Sequence, residues 1–183
     1  MELWGNYMIY YNEDDDLIIR SMSYTDIEAF VLGFAGQGWN KPAEQFLTYY
    51  NEQENNIRKI IVAEYKGNTA GYVTLLPFVK VGPFADKDFP EIVDFNVLIP
   101  YQKKGIGNRL MDVTEQLAKE VSDYVTLAVG MHSGYGTAQR MYVKRGYIPD
   151  GSGVWYKDRP LEPYGACEND DELILFFVKE LTC

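Results

Sequence analysis

The stretch Gln102-Lys103-Lys104-Gly105-Ile106-Gly107 joins a strand-like run, Glu91 to Ile99 closed by Pro100, to an amphipathic helical pattern carrying Leu110, Met111, Thr114, Leu117, Ala118 and Val121. A helix start presents backbone N–H groups without intrahelical partners and the positive end of its dipole, so this junction suits an anion. Gly105 and Gly107 leave the main chain open to close approach, and Lys103 and Lys104 add charge around it. A tight turn with solvated lysines is the rival explanation, and for a lone Gly-x-Gly it is the better one. Two nucleotide motifs fail on the same residues. A Walker A loop requires Gly-x-x-x-x-Gly-Lys-Ser/Thr, and a dinucleotide fingerprint requires a small residue where Leu110 stands.

Upstream, Tyr7 to Tyr11 and Leu17 to Ser21 read as a hairpin across a polar turn, Asn12 to Asp16. Thr25 is the expected N-cap of a helix in which Ile27, Phe30, Val31 and Phe34 recur at helical spacing until Gly36 and Gly38. A second helix follows Pro42, with Phe46, Tyr49 and Tyr50 on one side, and ends at Asn55. Arg58 to Tyr65 and Ala70 to Val79 read as strands joined through Lys66-Gly67-Asn68-Thr69, an antiparallel hairpin. Downstream come a strand from Tyr124 to Val129, a helix from about Tyr135 to Lys144, and strands Tyr147 to Tyr156 and Glu172 to Lys179, with Asp158 to Asp171 as their surface connection. This order predicts an α/β chain of the α+β type: a mixed, largely antiparallel central sheet flanked by helices, in one domain over residues 1–183.

In that setting Gln102 to Gly107 resembles the Gln/Arg-x-x-Gly-x-Gly/Ala signature by which the GNAT superfamily of acetyl-CoA-dependent N-acetyltransferases holds the coenzyme A pyrophosphate. Ala138-Gln139-Arg140-Met141-Tyr142-Val143-Lys144-Arg145-Gly146-Tyr147 is similar to the family's Ala-x-x-x-Tyr-x-x-x-Gly-Phe/Tyr stretch, although Tyr135 stands where an Asn is usual. The resemblance covers roughly residues 91 to 147. It implies a cofactor site of Phe95, Asn96 and Val97 along the pantetheine arm, with Gln102, Lys103, Lys104, Gly105, Ile106, Gly107 and Asn108 around the pyrophosphate. The Phe95 main-chain amide would face the thioester carbonyl. Glu91, eleven residues before Gln102, has the spacing of the general base in members that acetylate protein lysines. Tyr142 matches the tyrosine that protonates the departing sulfur.

Each role has a plainer rival. Glu91 also reads as an exposed strand-end carboxylate, and Tyr142 as a core tyrosine with a satisfied hydroxyl. Asp94 is a second candidate base, facing away from Glu91 if the pleat is regular, and a bulge would change that. His132, the one histidine, is the third candidate. The resemblance implies an acceptor pocket lined by the first two helices and the final hairpin loop, with Phe34, Trp39, Trp155, Tyr156 and Tyr164 as walls; core or dimer-interface aromatics are the alternative.

The formal charge of -10 argues against nucleic acid, whose phosphates call for Lys and Arg, and favours a cationic acceptor. No run of apolar residues is long enough for a membrane helix, so a cytoplasmic location is expected. No metal is expected, and a second copy of the chain is a candidate partner. Cys167 and Cys183 are not expected to form a disulfide. The functional expectation is acetyl transfer from acetyl-CoA to a primary amine of a small molecule or peptide. Two alternatives are a non-catalytic coenzyme A-binding sensor or interaction module, and a protein-modifying regulator with an open peptide groove.

Overall fold

The structure is a computed structural model that describes residues 7–14, 16–79 and 81–181. Asp15, in the expected first turn, and Cys183 lie outside the described residues; Cys167 is a free, exposed thiol. Contacts divide the chain into two compact units, Met1–Leu76 with Val93–Leu117, and Pro77–Ile92 with Ala118–Cys183.

The first unit holds β1 (Ile9–Glu13), β2 (Leu17–Ser21), α1 (Asp26–Gly36), α2 (Ala43–Glu54), β3 (Lys59–Tyr65) and β4 (Asn68–Leu76), with most of β5 (Glu91–Val97) and of α3 (Ile106–Lys119). Its strands run in the order β1-β2-β3-β4-β5. Lys66 and Gly67, both at positive φ, form the two-residue turn between β3 and β4, so the strand expected from Ala70 begins at Asn68 and stops at Leu76. β3 is buried from Ile60 to Ala63, which explains its unbroken apolar run.

On this sheet α1 and α2 lay one aromatic face. Phe30 and Phe34, one turn apart, meet Phe46 of α2 at ring separations of 5.3 and 6.1 Å. Met22, Ile60, Val62, Tyr72 and Leu98 complete the cluster, and each such large apolar side chain contributes roughly 1.5–3 kcal/mol on burial. Thr25 does not cap α1: its hydroxyl meets Ser23, and no side-chain cap bond forms.

Arg20 is a charged residue buried in this unit. Its guanidinium is bidentate on Asp26 at 2.7 and 2.8 Å and reaches Glu64 at 3.0 Å; Arg20 and Asp26 are both buried. Asp26→Ala removes the bidentate partner of the buried guanidinium and leaves it Glu64 as its carboxylate, so the cost should approach, from below, the ~3–5 kcal/mol of breaking a buried pair, read as a lower urea midpoint at unchanged slope. An apolar Arg20→Met/Asp26→Leu pair should recover most of that loss.

The second unit contains the first two residues of β5, then β6 (Tyr124–Gly130), α4 (Gly136–Lys144), β7 (Ile148–Tyr156), β8 (Arg159–Pro160) and β9 (Leu173–Glu180), ordered β5-β6-β9-β7-β8. β5 and β6 run parallel through Glu91↔Thr126 and Ile92↔Leu127, while β9 is antiparallel to both β6 and β7. The strands are mixed and mostly antiparallel, as expected. β8, within the expected surface connection, folds back on Trp155 and Tyr156. Phe84, Phe176 and Val79 form the local core, against which Trp155 packs. Among the described residues no helix is long and apolar enough to cross a membrane.

Candidate active site

In the first unit, β5 ends at Val97 instead of Ile99, because Ile99–Tyr101 winds into a 3-10 turn with Pro100 in it. The Gln102 side chain then turns back and donates to the Val97 carbonyl at 3.0 Å. Lys103 and Gly105 both take left-handed φ, 60° and 81°, which folds the chain sharply into α3. A Cβ at Gly105 would meet nothing within 4 Å, so backbone geometry alone favours glycine there. At Gly107 the reason is contact: a Cβ would lie 3.2 Å from the Phe95 ring.

The first backbone acceptor of α3 is Gly105 O, taken by Arg109 N–H. The N–H groups of Ile106, Gly107 and Asn108 thus head the helix without intrahelical acceptors. Open left-handed backbone, helix-start donors and the exposed Lys103 and Lys104 fit an anionic group such as a pyrophosphate. The structure therefore brings Phe95 and Val97 of β5 against Gly107, two segments that the family resemblance assigns to one cofactor site.

β5 is not a regular strand. Asp94 has φ 50°, and the neighbouring Val93 carbonyl accepts from the Thr74 hydroxyl at 2.8 Å. Gly71 of β4 lets this segment approach closely, since a Cβ there would stand 2.5 Å from Asn96 O. The Asp94 carboxylate faces α2 and β4. Oδ1 accepts from Lys41 Nζ and from Asn96 Nδ2, each at 2.7 Å. Oδ2 accepts from the hydroxyls of Tyr72 at 2.6 Å and Tyr49 at 3.0 Å, and from Gln45 Nε2 at 3.0 Å. Burial, then the Asp94 charge, pushes the Tyr49 phenol up to about 12 and raises that of Tyr72 further. Lys41, Gln45 and Tyr72 escaped the sequence reading, and Tyr49 entered it only as part of the aromatic side of the second helix; a tyrosine amid the small and aliphatic residues of β4 was one available signal.

In the second unit, Glu91 opens β5 opposite Thr126. The preceding Pro90 carbonyl is fixed by the Thr126 N–H and hydroxyl at 2.9 and 3.1 Å. Tyr142 lies on the buried side of α4 with its ring edge-on to Tyr147 at 5.8 Å. Burial and the nearby Tyr135 raise its phenol above the ordinary range, which keeps it a proton donor. His132 is engaged at both nitrogens: Nδ1 accepts from Gly134 N–H at 3.0 Å, and Nε2 lies 2.9 Å from Asp171 Oδ1. Tyr135 also donates to that oxygen at 2.8 Å, and these two hydrogen bonds hold the Asp171 carboxyl below its usual range. Of the expected pocket aromatics, Phe34 is core and stacks on Trp39, Trp155 packs on Phe176, and Tyr164 is fully exposed.

Residues 24–147 match the model of the Acetyltransferase (GNAT) family. The chain belongs to this family. It is an acetyltransferase, and acetyl-CoA is its acyl donor. The fold agrees with solved GNAT structures at low sequence identity. An N-acetyltransferase from Staphylococcus aureus Mu50 is 15% identical, with a TM-score of 0.67 over 91% of this chain and 99% of that one. Ard1 from Thermoplasma volcanium is 20% identical, with a TM-score of 0.65 over 91% and 99%. The yncA protein from Salmonella typhimurium, solved with its cofactor acetyl-CoA, is 16% identical, with a TM-score of 0.65 over 91% and 95%. No curated protein sequence matches the chain.

Proposed function

We propose that this GNAT enzyme acetylates a primary amine on a cationic small molecule or peptide. The observation that carries the cofactor half of this reading is the glycine turn from Gln102 to Asn108, whose left-handed backbone leads into the start of α3 with Gly107 against the Phe95 ring. Those residues would hold the pyrophosphate, and Phe95, Asn96 and Val97 would hold the pantetheine arm. Acetyl-CoA supplies the thioester carbonyl. The Phe95 amide would donate to its oxygen as charge develops there, Glu91 would take the ammonium proton directly or through water, and Tyr142 would return a proton to the coenzyme A thiolate.

The acceptor half rests on charge. A chain of net charge -10 attracts cations at long range. Thiol release measured over a panel of amines should favour polyamines and lysine-bearing peptides over neutral amines, with an advantage that shrinks as salt rises. Equal turnover of both classes at low salt would remove the cationic acceptor and leave acetyl transfer standing.

A further inference from the structure

We propose that Asp94 is a positioning residue: its carboxylate, saturated by five side-chain donors, fixes the left-handed kink of β5 that orients the Phe95 N–H, and it takes no proton in the reaction. This rests on the reading of Phe95 as the amide that faces the thioester.

A non-glycine residue at φ 50° in the middle of a strand persists only where its surroundings over-determine it. Here they do so from three sides. Lys41 reaches Asp94 from the segment between α1 and α2, Gln45 and Tyr49 from α2, and Tyr72 from β4, while Asn96 closes the ring from β5 itself. The strand is also held on both flanks, through Thr74 on the Val93 carbonyl and Gln102 on that of Val97. The Asp94 backbone sets the plane of the next peptide, which carries the Phe95 N–H. A donor for a developing oxyanion works only if it is aimed beforehand.

The same contacts argue against proton transfer. A carboxylate offers about four lone-pair positions, and five donors already compete for them. Lys41 is the cationic one; its ammonium also meets the Tyr72 hydroxyl at 2.8 Å and lies 5.1 and 5.4 Å from the Phe34 and Tyr72 ring centroids. An incoming amine would have to displace a donor held at several points. The titratable groups facing Asp94 are Lys41, Tyr49 and Tyr72, and both phenols are shifted toward their donating form.

The test is Asp94→Asn, which keeps the side-chain shape but removes the charge and turns one acceptor into a donor facing donors. The expected result is a fall in kcat per folded molecule of between about 10- and 100-fold, the scale of a small misplacement of a reacting group. The KM for acetyl-CoA should change little, the acidic limb of the kcat/KM profile should keep its position, and hydrogen exchange at the Phe95 amide should quicken. Should Asp94→Asn fail to fold, Gln45→Met/Tyr49→Phe removes two of the Oδ2 donors and is expected to give the same pattern more weakly. Loss of the acidic limb would make Asp94 the base and overturn the proposal; so would an unchanged kcat per folded molecule. If the wild-type protein turns over no amine, the acceptor reading has failed, and Phe95 exchange that is identical in the wild type and Asp94→Asn would separately overturn the positioning role.

Discussion

Tyr142→Phe should lower kcat by roughly 10²-fold or more, with little change in acetyl-CoA affinity, because a positioned general acid, the role proposed for Tyr142, contributes 10²- to 10⁴-fold. The substitution removes one oxygen. The ring remains on the buried side of α4, edge-on to Tyr147, so packing and stability should be nearly preserved. What is lost is a phenol that burial keeps in its protonated form. The departing thiolate is then left to water. Steady-state kinetics with a saturating amine, together with titration of coenzyme A binding, separates the two quantities. An unchanged kcat means that solvent protonates the thiolate and that Tyr142 belongs only to the core.

Much of this site was legible because its decisive parts are local. The turn from Gln102 to Gly107 is announced by neighbours in sequence: a proline just after the strand, two glycines, and an apolar periodicity carried from Leu110 onward. Leu110, Met111 and Thr114 are indeed fully buried along α3, whereas Val121 lies beyond its end and is exposed. The hairpin of β3 and β4 was readable for the same reason, though its turn, Lys66-Gly67, sits one residue earlier than the Gly67-Asn68 pair suggested.

Less was legible around Asp94. A period-2 reading assigns its face only if the pleat is regular, and the positive φ breaks that regularity. Its partners are separated from it by up to 53 residues, in the case of Lys41. No spacing rule connects a lysine after α1, a glutamine and a tyrosine one turn apart on α2, and a tyrosine on β4. Thr25 failed as a cap for a related reason. Asp26, one residue later, is claimed by the buried Arg20 and also accepts from the Ser23 N–H, so tertiary pairing outweighed the local preference.

Gly107→Glu should lower coenzyme A affinity by roughly 10²-fold while the protein remains folded, because like charges brought together cost several kcal/mol and each 1.4 kcal/mol is tenfold. The position is the second residue of α3, where an acidic side chain suits the helix dipole. Loss of the helix is therefore not the expected outcome. Two effects would act on the ligand instead: the new Cβ lies 3.2 Å from the Phe95 ring, which must give way, and the carboxylate competes with a phosphate for the amides at the start of the helix. Gly107→Ala separates them, since it adds the contact without the charge and should cost much less. High salt should narrow the gap between the two variants by screening the repulsion. Calorimetric titration with coenzyme A reads all of this directly, and an affinity equal to wild type in a folded Gly107→Glu protein would remove the pyrophosphate from this turn.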